Sequence, residues 1–330
     1  MNTRWCIVGQ GLAGTCLAWE FWNRGVPFSL VDRESGGSSR VAAGLINPVT
    51  GKNFEPSKRI DTFHPEALAF YAAVESDLGT RVWHPLPILR LAAEPKEWAK
   101  IQEKSRHSAV IPWLAREGQA LAVDGWLGAV ELRGGGRLDT RAFLDGSRRF
   151  FQDRGVYQKA DEPPDSSDAH LIWCEGAAGL IAGKFGSHRC AKGEILTLHA
   201  PDWESSHIRI GAGGWLVPLG NGNFKAGSTY EWNSLDESPT AAGLDHVTRL
   251  ARRLGGDGPL EVVAHEAGIR PILRRSEPRI GPLPQGGWMC NGLGSKGSLY
   301  APGIAARLAR WILDGREPEP EVDFRRLITI

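Results

Sequence analysis

Apolar positions along this chain follow two different periods. Residues 4–8 are a short apolar run, Leu12 to Arg24 repeats Ala13, Leu17, Ala18 and Phe21 at helical spacing, and residues 26–31 are apolar again. The pattern predicts strand, helix and strand, with Gly25 closing the helix. Residues 64–78 and 94–105 read as helices around a strand at 86–91. Short strands separated by glycines fill 121–138. Asp139 is placed to cap a helix over 140–154, and Gly155 stops it. An apolar strand at 169–174 follows. Beyond residue 193 the spacing shortens. Strands at 194–199, 208–210, 215–218 and 224–229 are separated by turns such as Asn221-Gly222-Asn223, which suits antiparallel pairing. A helix over 240–254, strands at 260–269, 278–282 and 288–290, and a long apolar-faced helix over 299–313 complete the pattern.

The order excludes one simple doubly wound domain. It predicts an α/β fold: a Rossmann-type dinucleotide-binding domain with an interleaved α+β domain built on an antiparallel sheet. The first domain is expected from 1–46, 136–190 and 276–330, and the second, substrate-binding, from 47–135 and 191–275. The chain of 330 residues is long enough for two cores. The first strand starts almost at residue 1, so neither a preceding domain nor a secretory leader is expected.

The first turn carries the strongest chemical signal. Gly9-x-Gly11-x-x-Gly14 follows a strand, opens a helix, and is followed by a second strand ending at Asp32. Gly9 permits the tight turn, Gly11 clears the approach of a pyrophosphate, and Gly14 lets helix and strand pack closely. The helix start at Leu12 and Ala13 turns its N–H groups toward the phosphates. Asp32 suits ribose hydroxyls and disfavours a 2'-phosphate. Arg33 beside it joins the cofactor-binding candidates.

Charge and cysteine content narrow the rest. A formal charge of +1 gives no global field for DNA or an anionic membrane. The five cysteines are widely spaced with no C-x-x-C pair. Cys6, Cys174 and Cys290 lie in apolar runs and read as buried free thiols of a reducing, cytoplasmic compartment. Histidines lack metal-ligand spacing, so no metal is expected. No eighteen-residue apolar run predicts a transmembrane segment.

Several later segments, with the first turn, resemble the D-amino-acid oxidase family of FAD-dependent oxidoreductases. Ser38-Ser39-Arg40-Val41-Ala42-Ala43-Gly44 resembles the family's second FAD-contacting segment, which marks Ser39, Arg40, Ala43 and Gly44. Cys174-Glu175-Gly176-Ala177-Ala178-Gly179 resembles the turn beside the adenosine and marks Gly176 and Ala177. Lys192-Gly193-Glu194 resembles the lead-in to the substrate domain, and Gly268-Ile269-Arg270-Pro271 is similar to a Gly-Ile/Leu-Arg-Pro motif. Gly292-x-Gly294-x-x-Gly297 resembles the last flavin-binding loop and marks Gly294, Ser295, Lys296, Gly297 and Ser298.

The resemblance implies FAD. No cysteine stands near Arg270, where some members attach flavin covalently, so the flavin is expected to be noncovalent. The segment between Gly155 and Ala169 is shorter than the family usually has. The implied reaction is oxidation of the C–N bond of a small amino acid or secondary amine bearing a carboxylate, with dioxygen or a quinone as acceptor. Arg270 would grip the carboxylate, and Lys296 would sit near the flavin. Arg270 and Lys296 are the catalytic candidates. Asn47, Trp215 and Arg270 are the substrate-binding ones, with Lys52 a weaker candidate. The alternative for Arg270 is a structural salt bridge to Glu266, and for Lys296 an ordinary surface lysine. His265 reads as a buried, hydrogen-bonded histidine, and His64 as a residue of a helix-capping region. Two further functions stand beside the first. One is oxidation of a carboxymethylaminomethyl group on a tRNA wobble uridine, disfavoured by the neutral charge. The other is a non-catalytic FAD-binding subunit of a complex.

Overall fold

The structure, a computed structural model, describes residues 5–165, 169–273 and 277–328. Its first sheet has six strands in the order Tyr157–Lys159, Phe28–Asp32, Trp5–Val8, His170–Trp173, Trp288–Asn291 and Arg279–Pro282. The first five run parallel, and Arg279–Pro282 is an antiparallel edge strand. The strand–helix–strand unit read from the first residues is present, with the helix at Leu12–Asn23. Helices Leu12–Asn23, Ile60–Leu78 and Gly297–Asp314 pack together on this sheet. They enclose Leu17, Trp19, Tyr71, Phe143, Ile304 and Leu308, none of which touches solvent. Each such side chain contributes about 1.5–3 kcal/mol of burial, so the floor beneath the parallel strands is well anchored.

The second sheet has seven strands. In spatial order they are Glu261–Arg270, Ala191–His199, Asn223–Gly227, Gly214–Gly220, Ile208–Gly211, Ile88–Ala92 and Gly128–Leu132. All neighbours are antiparallel except Ile208–Gly211 and Ile88–Ala92, where the chain joins its two passages through the sheet in parallel. Helix Ala241–Gly255 covers one face and buries Val247, Leu250 and Leu254 against Leu196, Leu216 and Phe224. Glu194 anchors the start of that helix. Its carboxylate accepts from the Thr240 backbone N–H (2.8 Å) and hydroxyl (2.9 Å). His265 lies 2.8 Å from the same carboxylate and is the hydrogen-bonded histidine expected from the sequence.

Several local expectations are corrected. Short strands appear that the pattern does not predict: Val49–Thr50 pairs with Glu55–Pro56, and Leu45–Ile46 joins a small sheet with Gly136–Leu138 and Trp83–Pro85. His64 is not in a capping region. Its helix begins at Ile60, and its ring bonds the Gly134 carbonyl at 2.7 Å. Ser39 lies in a short helix, Ser38–Val41, that no side chain caps. Its hydroxyl instead accepts the Leu12 N–H of the first helix at 3.2 Å, satisfying a donor that the glycine turn leaves open. The strand expected to reach Thr229 ends at Gly227, because Ser228 and Thr229 turn away to hold Arg270. All five cysteines are buried and free. No described helix is long and apolar enough to cross a membrane.

Candidate active site

A cleft of about 1100 Å³ opens where the parallel strands end, the place where open α/β sheets bind ligands. Its floor includes Val8, Asp32, Cys174 and Asn291 at the carboxyl ends of four neighbouring strands. The facing wall comes from the second sheet through Gly193, Ile195, Trp215, Gly268 and Arg270.

The glycine turn is built as its spacing requires. Gly9 has φ +103°, and a Cβ there would lie 2.6 Å from the Cys174 carbonyl oxygen. Gly14 does not line the cleft. A Cβ on it would come within 1.8 Å of the Gly9 oxygen, so its role is close packing of turn and helix. Gly11 lies on the cleft wall facing Ser39, and Leu12 and Ala13 line the cleft at the helix start. Asp32 accepts from the Gln10 N–H (2.6 Å) and the Glu34 N–H (2.7 Å). Those bonds fix its carboxylate at the cleft edge beside Arg33.

The second segment wraps over the same space. Ser39, Arg40, Ala43 and Gly44 all line it. Arg40 pairs with Asp145 at 2.7 Å through one terminal nitrogen, while its other terminal nitrogen is buried with no hydrogen-bond partner among the described residues. Gly44 has φ +68° and presses on the Leu138 backbone. Lys225 pins this segment from behind, donating to the carbonyls of Val41 (2.6 Å) and Ala42 (3.3 Å). Burial pushes its ammonium down to about 8. Gly176 and Ala177 lie on the opposite rim. Asn291 donates to the Gly176 carbonyl at 2.9 Å, joining that rim to the strand leading into the last glycine loop.

The last loop, with Gly294, Ser295, Lys296, Gly297 and Ser298, lines the cleft where helix Gly297–Asp314 begins. Gly294 has φ +58° and donates its N–H to the Pro271 carbonyl at 3.0 Å, coupling this loop to the Arg270–Pro271 corner. Lys296 reaches across to the hydroxyls of Thr50 (2.9 Å) and Ser57 (3.1 Å). Burial lowers its pKa. It is therefore an enclosed lysine held by hydroxyls rather than an ordinary surface one.

Arg270 is the most distinctive side chain of the wall. One terminal nitrogen donates to the Lys192 carbonyl (3.1 Å), the other to the Ser228 hydroxyl (2.6 Å) and the Thr229 carbonyl (3.2 Å). The guanidinium also lies over the Tyr230 ring, 4.1 Å from its centre. Burial lowers its pKa. Glu266 is not its partner: that carboxylate pairs with Arg141. No carboxylate pairs with Arg270 among the described residues. Trp215 lines the cleft above Gly227, where a Cβ would fall 2.7 Å from the indole. Asn47 lines the cleft too, while Lys52 is exposed outside it.

Sequence reasoning missed three contributors. Tyr230 carries the arginine, Ser228 orients it, and Gly193 makes room for it. A Cβ on Gly193 would lie 2.0 Å from an Arg270 nitrogen. Only the lone glycine inside a strand pattern could have signalled this close approach. Gly193→Ala is expected to displace the guanidinium and raise KM about tenfold or more for a carboxylated substrate, with little change in flavin absorbance. Steady-state kinetics beside the absorbance spectrum checks this.

The site fits a dinucleotide without further adjustment. The cleft has room at Gly11 and Gly176, a helix start of the kind that suits phosphates, an acid of the kind that suits ribose, and an enclosed Arg40 nitrogen without a partner among the described residues. The sequence profile of the DAO family, described as FAD dependent oxidoreductase, matches residues 4–311. Glycine oxidase of Pseudomonas aeruginosa is 32% identical over 112 residues, covering 33% of this chain and 30% of that protein. The match thus spans about a third of that relative's length. Among solved structures, glycine oxidase from Geobacillus kaustophilus superposes with a TM-score of 0.78 at 19% identity, over 96% of both chains. Iminodiacetate oxidase from Chelativorans sp. BNC1 gives 0.76 at 20% identity, over 95% of both. The fold and the profile agree with the cleft, and the chain belongs to the DAO family of FAD-dependent oxidoreductases, with FAD as its cofactor.

Proposed function

We propose that this enzyme oxidises the C–N bond of a small primary or secondary amine that carries a carboxylate. One observation carries the reading: Arg270 is an enclosed guanidinium with no acid beside it among the described residues. Burying a cation without a counter-charge is costly. A substrate carboxylate entering the cleft supplies that charge. Three of the five N–H donors of Arg270 are taken by the protein among the described residues, which leaves two for it. The oxidases of similar fold act, by their names, on glycine and iminodiacetate, both amines with a carboxylate.

FAD supplies the hydride acceptor: the C–H bond beside nitrogen breaks, hydride leaves, nitrogen gives up a proton, and water hydrolyses the resulting imine. The chain's residues orient this event. Arg270 fixes the carboxylate, and Trp215 walls the pocket. Lys296 holds an enclosed positive charge at the start of the last helix, where negative charge on a reduced cofactor is favoured. The cofactor is held noncovalently, so acid precipitation is expected to release all of the FAD into the supernatant.

The same geometry favours a free amine over one carried by tRNA. On the cleft wall Lys184 pairs with Glu175, and on an adjoining cavity Lys58 pairs with Glu277 and Arg59 with Glu319. Cations already paired make a poor phosphate track. Anaerobic absorbance of the purified enzyme, mixed with glycine, sarcosine, proline and both enantiomers of several amino acids, tests the reading. Bleaching of the flavin band by at least one of these amines is expected. An oxidised spectrum unchanged by the whole panel would contradict it.

A further inference from the structure

Tyr230 and Trp232 are unusual among the aromatic residues of this protein. They are 49% and 45% exposed, with ring centres 5.3 Å apart and planes tilted by 40°. A contiguous exposed apolar patch marks an interaction site or a ligand groove. Both rings are held in place by cations. Arg270 lies over Tyr230 at 4.1 Å, and Arg189 over Trp232 at 5.5 Å.

These rings wall a second cavity of about 570 Å³. Phe63 and Ile272 add apolar surface to it. It shares Tyr230 and the stretch from Leu293 to Lys296 with the cofactor cleft. The two cavities therefore adjoin at the ring that carries the carboxylate-binding arginine. Of the cations on its wall, Lys58 and Arg59 are already paired with Glu277 and Glu319, and Lys296 lies on the boundary with the cofactor cleft, held by the Thr50 and Ser57 hydroxyls. Away from that boundary, Lys58 and Arg59 offer an anionic occupant no unpaired charge, while Tyr230 and Trp232 offer an uncharged ring stacking partners.

We propose that the second cavity receives the nitrogen substituent of the substrate, and that this substituent bears an uncharged aromatic ring stacked against Tyr230 and Trp232. The substrate class is an N-arylalkyl amino acid: carboxylate on Arg270, nitrogen and its oxidisable C–H at the cofactor cleft, ring in the second cavity. This rests on the amine-oxidation reading above and narrows it. Glycine or sarcosine would leave the second cavity unused, at a loss of the apolar burial that such pockets contribute to affinity.

The test uses the FAD-loaded enzyme and two unreactive ligands in which oxygen replaces the amine nitrogen: methoxyacetate, shaped like sarcosine, and benzyloxyacetate, shaped like N-benzylglycine. Perturbation of the flavin spectrum reads binding without turnover. Benzyloxyacetate is expected to bind at least tenfold more tightly than methoxyacetate. Trp232→Ala should bring the two within about threefold, and Trp232→Phe should keep the preference. N-benzylglycine should likewise reduce the flavin with a kcat/KM at least tenfold above that of sarcosine. Equal binding of the two ligands, with sarcosine still reducing the flavin, would overturn the aromatic subsite and leave amine oxidation standing. Failure of both ligands to bind and of both amines to reduce the flavin would overturn both.

Discussion

Arg270→Ala is expected to lower kcat/KM for a carboxylated amine about a thousandfold while the protein stays yellow. The guanidinium is enclosed, held by Ser228, Thr229 and the Lys192 carbonyl, and stacked on Tyr230. It is therefore preorganised, and little side-chain entropy is lost when a carboxylate docks. Removing one partner of an enclosed, hydrogen-bonded charge pair costs about 2–5 kcal/mol, and about 4 kcal/mol corresponds to a thousandfold in rate. Arg270→Lys is expected to recover only part of the loss, since an ammonium restores the charge but not the planar fork. Steady-state kinetics of both variants, with flavin content measured alongside, checks the pair. Activity of Arg270→Ala within threefold of the parent enzyme would remove the arginine from substrate binding.

Gly11→Val is expected to give a folded protein without flavin. Gly11 has φ −78° and ψ −169°, an extended conformation that valine adopts readily. Its Cβ would project toward Ser39, 3.2 Å from that hydroxyl, into the space read as the pyrophosphate path. The substitution thus blocks the ligand without straining the backbone, and only the Ser39 side chain must give by a few tenths of an ångström. We expect FAD affinity to fall at least a thousandfold, about 4 kcal/mol. The melting temperature should lose the increment that saturating cofactor confers. Far-UV circular dichroism should be unchanged. Gly9→Val would be a poorer probe, because Gly9 combines positive φ with a blocked Cβ position and its replacement disturbs the fold itself. A yellow Gly11→Val protein would place the pyrophosphate elsewhere.

The parts of this molecule that were legible in its sequence are local ones. The first turn could be read because strand, glycines, helix and acid fall within one short stretch, and each glycine has a steric reason that spacing reveals. The longer strands and helices were visible because five or more residues display a period. Strands Tyr157–Lys159, Trp83–Pro85 and Leu45–Ile46 were not, because two or three residues have no measurable period and exist only through their neighbours.

The active site divides along the same line. Arg270 was visible as a candidate, but its setting was not. Glu266 is near in sequence, yet it is drawn to Arg141 from the helix Thr140–Gln152. The partners of Arg270 come from neighbouring strands and the turn beyond them, fixed by a register that sets Gly193 opposite Gly268 and Ala191 opposite Arg270. Lys296 was visible as a candidate in the last glycine loop, but its enclosure was not, because its hydroxyl partners, Thr50 and Ser57, lie some 240 residues away. Tyr230 and Trp232 carried no motif at all. Their meaning comes from two cavities that meet beside them.

In the proposed reaction a substrate carboxylate on Arg270 presents a C–N bond to the FAD. This placement is tested most directly by the anaerobic rate of flavin reduction with sarcosine and with dimethylamine, the same amine without its carboxylate. Sarcosine is expected to be faster by at least a hundredfold in the parent enzyme, and the ratio is expected to fall to within about tenfold in Arg270→Ala. Equal rates for the two amines in the parent enzyme, or a ratio that Arg270→Ala leaves unchanged, would contradict the placement.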